Sequence, residues 1–251
     1  MIGAKRNNPY YQGPKTDHFD GKLFFNPGGV APGSLRDVLK WQFTEKRARW
    51  PKRYDSPHLN AKPEKRVENG DIVVTMVGHA TMLVQMDGVN LLTDPLWSER
   101  TSPLSFAGPK RRIEPGIAFD DLPPIDVVLL SHSHYDHLDG GTVRRLRKRF
   151  GDGIRWFTPL GYRSWFRRRG VRNVTELDWW TSAEIATEHG PVLFTALPCQ
   201  HWTARTPFGR NQELWASWAV SVGGKRSLYF GGDSGYFPGY PEIRERMGTF
   251  E

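Results

Sequence analysis

The sequence predicts an α/β protein with its helices and strands in layers, and three observations carry that expectation. From about residue 71 onward, short β-branched or alternating apolar runs recur between Gly, Pro and Asp punctuation. Helical spacing of apolar residues interrupts them near 142–150, 162–169 and 241–247. Tight hairpins mixed with strand–helix steps exclude an all-α or all-β chain.

Residues 1 to about 34 are rich in Pro, Gly, Asn and Tyr without any period, and read as an extended arm lying on the domain or partly disordered. Between Ser34 and about Arg49, Leu35, Val38, Leu39 and Phe43 share a helical face, with Trp41 off it. Ser34 can cap this helix and Pro51 stop it. Residues 51–66 form a charged connector, so the chain divides into an N-terminal part, 1–66, and a main domain, 67–251. Strands are expected at 71–77, 81–86 and 89–93, the last two joined as a hairpin through Asp87-Gly88. Residues 126–130 (Asp-Val-Val-Leu-Leu) read as a buried strand. A basic helix over 142–150 follows, with Val143, Leu146 and Phe150 on its apolar side. Further strands are expected near 154–158 and 192–197, with a short helix at 162–169 ended by Gly170. Residues 214–222 and 227–230 form another hairpin through Gly223-Gly224, and 241–247 looks like the opening of a helix.

Composition narrows the function. One cysteine, Cys199, excludes an intrachain disulfide and a Cys-rich metal site. Beside His201 it could be read as a nucleophile, but a small buried strand residue is the expected role. No apolar run reaches the length of a membrane span, and the N-terminus lacks the apolar stretch of a secretory signal, so a cytoplasmic location is expected. The formal charge of +8, from 35 Lys+Arg against 27 Asp+Glu, suits an anionic partner such as phosphate or an acidic membrane surface. Arg144, Arg145, Arg147, Lys148 and Arg149 could meet anionic head groups, although such a run is more often a solvated helix face.

The chemistry concentrates in Ser131-His132-Ser133-His134-Tyr135-Asp136-His137, directly after the buried strand at 126–130. His132 and His134, two apart, can present both imidazoles to one point from an extended turn. Asp136 and His137 add an oxygen and a nitrogen close by. Three imidazoles and a carboxylate so close repel on protonation, but they suit a metal such as zinc, with iron or manganese as alternatives. His201 and Asp233 stand at the ends of later strands, where loops can converge on a shared site. The glycines of Gly231-Gly232-Asp233 permit close backbone approach.

This His-x-His-x-Asp-His signature resembles that of the metallo-β-lactamase superfamily. Within it the likeness is to the N-acylphosphatidylethanolamine-hydrolysing phospholipase D branch and its bacterial relatives, from about Asp17 onward. It runs through Val77-Gly78-His79-Ala80-Thr81, Leu92-Thr93-Asp94-Pro95, Ala107-Gly108-Pro109-Lys110-Arg111, Glu176-Leu177-Asp178-Trp179-Trp180, Gln200-His201-Trp202 and Gly232-Asp233-Ser234-Gly235. The resemblance implies an αββα sandwich and two zinc ions. His132, His134 and His201 would hold one, Asp136 and His137 the other, and Asp233 would bridge them. A shared hydroxide, with Asp136 and Asp233 as the catalytic carboxylates, would attack a phospholipid-like phosphodiester. Asp94 is then a candidate for orienting a ligand imidazole, with a turn or cap role as the alternative. His79 could line the pocket, or be a buried hydrogen-bonded histidine. No nucleic acid partner is expected. Family members continue past the bridging Asp to a last His ligand, and no His follows His201 here. The expectation is therefore a C-terminally incomplete domain with a weakened second site. Two alternatives stay open: another hydrolysis on this fold, of a lactone or of nucleic acid, and a metal-binding fragment without turnover.

Overall fold

A computed structural model describes residues 7–29, 33–44, 46, 51–54, 60–68, 70–104, 106–206, 208–223 and 226–251. Helix α1 spans Leu35–Thr44; of the expected continuation to Arg49, Lys46 is not helical, and residues 45 and 47–49 lie outside the described ones. Leu39 and Phe43 are exposed, so the predicted apolar face is not a core face at those two positions. A helical period sets which residues share a side, and burial needs a surface to cover them.

Strands β1 (Ile72–Gly78), β2 (Thr81–Met86), β3 (Val89–Thr93), β4 (Val127–Leu129), β5 (Arg155–Pro159) and β6 (Val174–Leu177) form one sheet in that order. The first three pair antiparallel and β3 to β6 run parallel. Asp87 and Gly88 both take positive φ (43° and 75°), the conformation a two-residue hairpin turn requires. The second sheet is antiparallel, in the order β10-β9-β8-β7, from β7 (Ser182–Thr187), β8 (Gly190–Leu197), β9 (Ser217–Val222) and β10 (Arg226–Phe230). Neither β6 nor β7 was expected. The first is only four residues long, and the second is half polar, with Ile185 its one large apolar residue and alternating half-burial. Residues 214–216, expected in a strand, bond elsewhere: Leu214 N–H donates to Leu160 O at 3.0 Å and Ala216 N–H to Ser131 O at 2.9 Å.

Alternation along the strands builds the layers. Leu91, Val127, Leu129 and Phe157 meet Phe194, Ala196, Trp218 and Val220 in the core between the sheets. Their neighbours Leu92, Val128 and Trp156 point the other way, onto Val143 and Leu146 of α2 (Gly140–Phe150) and Phe166 of α3 (Arg163–Arg167). On the far side of the second sheet, Ile243 of α4 (Tyr240–Met247) packs on Leu197 and Ala219. The result is the αββα sandwich. The basic face of α2 is partly engaged locally: Arg149 donates to the carbonyls of Phe119 and Leu122, and Arg145 lies over the Phe119 ring.

The N-terminal segment joins this core. Phe19 and Phe24 are fully buried with Trp179 and Trp215. His18 bonds Asp178 Oδ1 at 2.7 Å and Asp17 Oδ1 at 2.6 Å, and stacks on Trp179. Among the described residues, no helix is long and apolar enough to cross a membrane.

Candidate metal centre

The C-terminal ends of β1, β3, β4, β8 and β10 deliver His79, Asp94, residues 131–137, His201 and Asp233 to one place. Such strand ends are where open α/β sheets bind ligands.

Asp94 is fully buried and organises the approach to both metal groups. Its Oδ1 accepts from Ser131 N–H at 2.7 Å, and its Oδ2 accepts from both Ser131 Oγ and His137 Nδ1, the latter at 2.6 Å. Because Ser131 gives its only proton to Asp94, its oxygen must accept from His132 Nδ1, 2.9 Å away. The neutral His132 imidazole then carries its lone pair on Nε2. That atom lies 2.8 Å from His134 Nδ1 and 3.1 Å from His201 Nε2. Sequence reading selected the histidines but gave Ser131 no role, although it precedes the first of them.

His132, His134 and His201 thus form one convergent group. Burial holds His132 well below the ordinary histidine range, helped by the neighbouring imidazoles, and lowers His134. It pushes His201 down to about 4. Nitrogens of three such rings, 2.8 to 3.2 Å apart, form a donor set that a divalent cation fits. His201 is also held through its backbone: Asn26 Nδ2 donates to its carbonyl at 2.9 Å, a contact from the N-terminal segment with no local sequence signal.

A second group contains His79, Asp136 and His137. His79 Nε2 lies 3.3 Å from His137 Nε2 and 3.2 Å from Asp136 Oδ2. The expectation of a buried His79 is corrected. It follows a bulge at the end of β1, takes φ +53°, and its side chain is 44% exposed. Bulges re-aim side chains in this way. Burial opposes ionisation of Asp136, but the His79 hydrogen bond and the His137 charge outweigh it and hold the carboxyl at about 2. Burial likewise opposes protonation of His137, yet Asp94 and Asp233 push it up to about 10.

Asp233 lies between the groups, its Oδ2 3.3 Å from His137 Nε2 and 4.0 Å from His201 Nε2. Gly232 makes that approach possible. It takes φ +56°, and a Cβ there would lie 2.6 Å from Ser131 Cβ. Cys199 is buried, and burial pushes its thiol far up, which removes it as a nucleophile. Every sequence-selected residue is therefore at this site. His132, His134 and His201 make one group, Asp136 and His137 belong to the other with His79, Asp233 stands between, and Asp94 lies behind.

Comparison with known proteins agrees with this geometry. A family described as the beta-lactamase superfamily domain matches residues 89–251. The chain is 36% identical, over 92% of its length and 69% of the relative's, to N-acyl-phosphatidylethanolamine-hydrolyzing phospholipase D 1 of Caenorhabditis elegans. It is 31% identical to the mitochondrial N-acyl-phosphatidylethanolamine-hydrolyzing phospholipase D of Saccharomyces cerevisiae, over 69% of its length but only 37% of the yeast protein. The crystal structure of CmlA, a diiron beta-hydroxylase from Streptomyces venezuelae, superimposes with a TM-score of 0.53 at 27% identity, covering 72% of this chain and 33% of that one. The sandwich, the converging histidines and these matches together make the chain a member of the metallo-β-lactamase superfamily.

Proposed function

We propose that the chain is a metal-dependent phosphodiesterase acting on lipids of the N-acylphosphatidylethanolamine type. The observation that carries the metal reading is the position of Asp233 between two groups of imidazole and carboxylate donors. His132, His134 and His201 would hold one cation; His79, Asp136 and His137 the second; Asp233 would reach both. Bound there, two cations would polarise the phosphodiester and make water more acidic. The choice of substrate rests on the likeness to the nematode and yeast phospholipases.

The chain's own residues prepare this chemistry. Asp94 holds the Nδ1 proton of His137, and Ser131 that of His132, so that each ring turns Nε2 inward. Asp136 and Asp233 are carboxylates at neutral pH, able to take the proton of the attacking water.

The test is metal content per chain after purification without added metal, paired with hydrolysis of N-acylphosphatidylethanolamine in mixed micelles. Chelator-sensitive release of phosphatidic acid supports the reading. Metal-loaded protein that cleaves a lactone or RNA but no phosphodiester lipid refutes the substrate, and protein that binds no metal refutes the whole.

A further inference from the structure

The imidazoles of the metal centre are not all held in the same way. Ser131 Oγ fixes His132 through Nδ1, and Asp94 fixes His137 through Nδ1. Among the described residues, the His201 ring has hydrogen-bond-length contacts only with His132 and His134, both through Nε2. Once those nitrogens turn their lone pairs to a cation, no hydrogen bond orients the His201 ring. Its placement then rests on its backbone.

That backbone is held at successive carbonyls. Cys199 O accepts from Trp215 Nε1 and Gln200 O from Gly235 N–H, each at 2.9 Å. At His201 O the donor is Asn26 Nδ2, at 2.9 Å, and among the described residues no other reaches it. Trp215 Nε1 also donates to Asn26 Oδ1 at 3.2 Å, which sets the amide the right way round. Asn26 lies outside residues 89–251, the part that matches the superfamily domain. Its segment is seated firmly beside the loop that carries His201. Phe24 is buried and its N–H donates to Asn211 O at 2.8 Å, and Asn8 Nδ2 donates to Gln212 O at 2.8 Å. A Cβ on Gly29 would fall 2.4 Å from Gln200 Oε1, so the segment passes directly against the residue before His201.

We propose that Asn26 is a positioning residue for His201, through which docking of the N-terminal segment sets the metal affinity of the His132, His134 and His201 group. The assignment rests on the metal-centre part of the phosphodiesterase reading. A cation orders His201 from the ring side and Asn26 orders it from the backbone side. Each therefore favours the other by the same factor.

The experiment is Co2+ titration of the full chain, followed by visible absorption, in two backgrounds. Asp136→Ala leaves the His132 group to hold the ion, and His134→Ala leaves the His79 group. Asn26→Asp keeps the acceptor for Trp215 Nε1 but turns a carboxylate oxygen on the His201 carbonyl. It should weaken Co2+ about tenfold in the first background, with a changed absorption band, and less than twofold in the second. Asn26→Ala should weaken the first by about three- to tenfold and serves should the Asp variant not fold. In the reverse direction, Co2+ should slow hydrogen exchange at the Phe24 and Phe25 amides of the unaltered chain, and much less in Asn26→Asp. Unchanged affinity in the folded variants, or equal weakening of both groups, overturns the assignment. A chain that hydrolyses no phosphodiester but shows the selective loss keeps Asn26 in this role and refutes only the cleavage reading. A chain that binds no metal refutes both.

Discussion

Replacing Asp94 by Asn tests how one buried carboxylate serves both metal groups. The amide oxygen can still accept from Ser131 N–H, but the other end becomes a donor facing Ser131 Oγ and His137 Nδ1, which both now donate to it. Two charge-assisted hydrogen bonds are lost. His137 is then favoured with its proton on Nε2, the atom that faces His79, Asp136 and Asp233. Ser131 loses the acceptor that aligned its oxygen for His132. Loss of such a supporting residue weakens metal affinity about 10- to 100-fold, or ~1.4 to 2.7 kcal/mol per site. Both groups should respond, the His137 group more because its contact is direct. Competition titration of metal against a chromogenic chelator reads the two affinities, with near-ultraviolet circular dichroism to verify the fold. A folded Asp94→Asn chain that binds both metals within twofold of the unaltered one refutes the argument.

Three further outcomes follow from particular contacts. Gly232→Ala places a Cβ 2.6 Å from Ser131 Cβ at a φ of +56°, so urea unfolding should show a loss of about 2 kcal/mol or more, with weaker metal binding; a neutral substitution contradicts the close approach. Glu213 is buried, and burial, only partly offset by Arg205, raises its carboxyl to about 7 from 4.5. The folded state therefore binds this proton more tightly than the unfolded one, and stability should fall by about 3 kcal/mol as pH rises from 4.5 through 7; Glu213→Gln should remove that fall in pH-dependent denaturation. For His18, burial lowers the pKa but the bonds to Asp178 and Asp17 prevail and raise it. Its contribution should be full below about 6.5 and vanish as pH rises through the higher folded value, so His18→Gln should flatten stability in that window.

Local signals carried much of the architecture. The strands at 81–86 and 89–93 and their Asp-Gly turn match β2, β3 and the observed positive φ values. The helix expected at 241–247 matches α4, and the structure adds that its Ile243 covers Leu197 and Ala219. Strands β6 and β7 escaped because a four-residue strand and one with a single large apolar residue are defined by what they pair with.

For the candidate site, spacing and residue type marked His132, His134, Asp136, His137, His201 and Asp233, since metal-ligand chemistry restricts the side chains that can serve. Tertiary structure alone decided that His79 joins His137 and Asp136, that Ser131 links Asp94 to His132, and that Asn26 holds His201 from 175 positions away. Ligand identity is a property of single side chains and is legible along the chain. The distances and shared protons that make those side chains one site arise only when five strand ends meet.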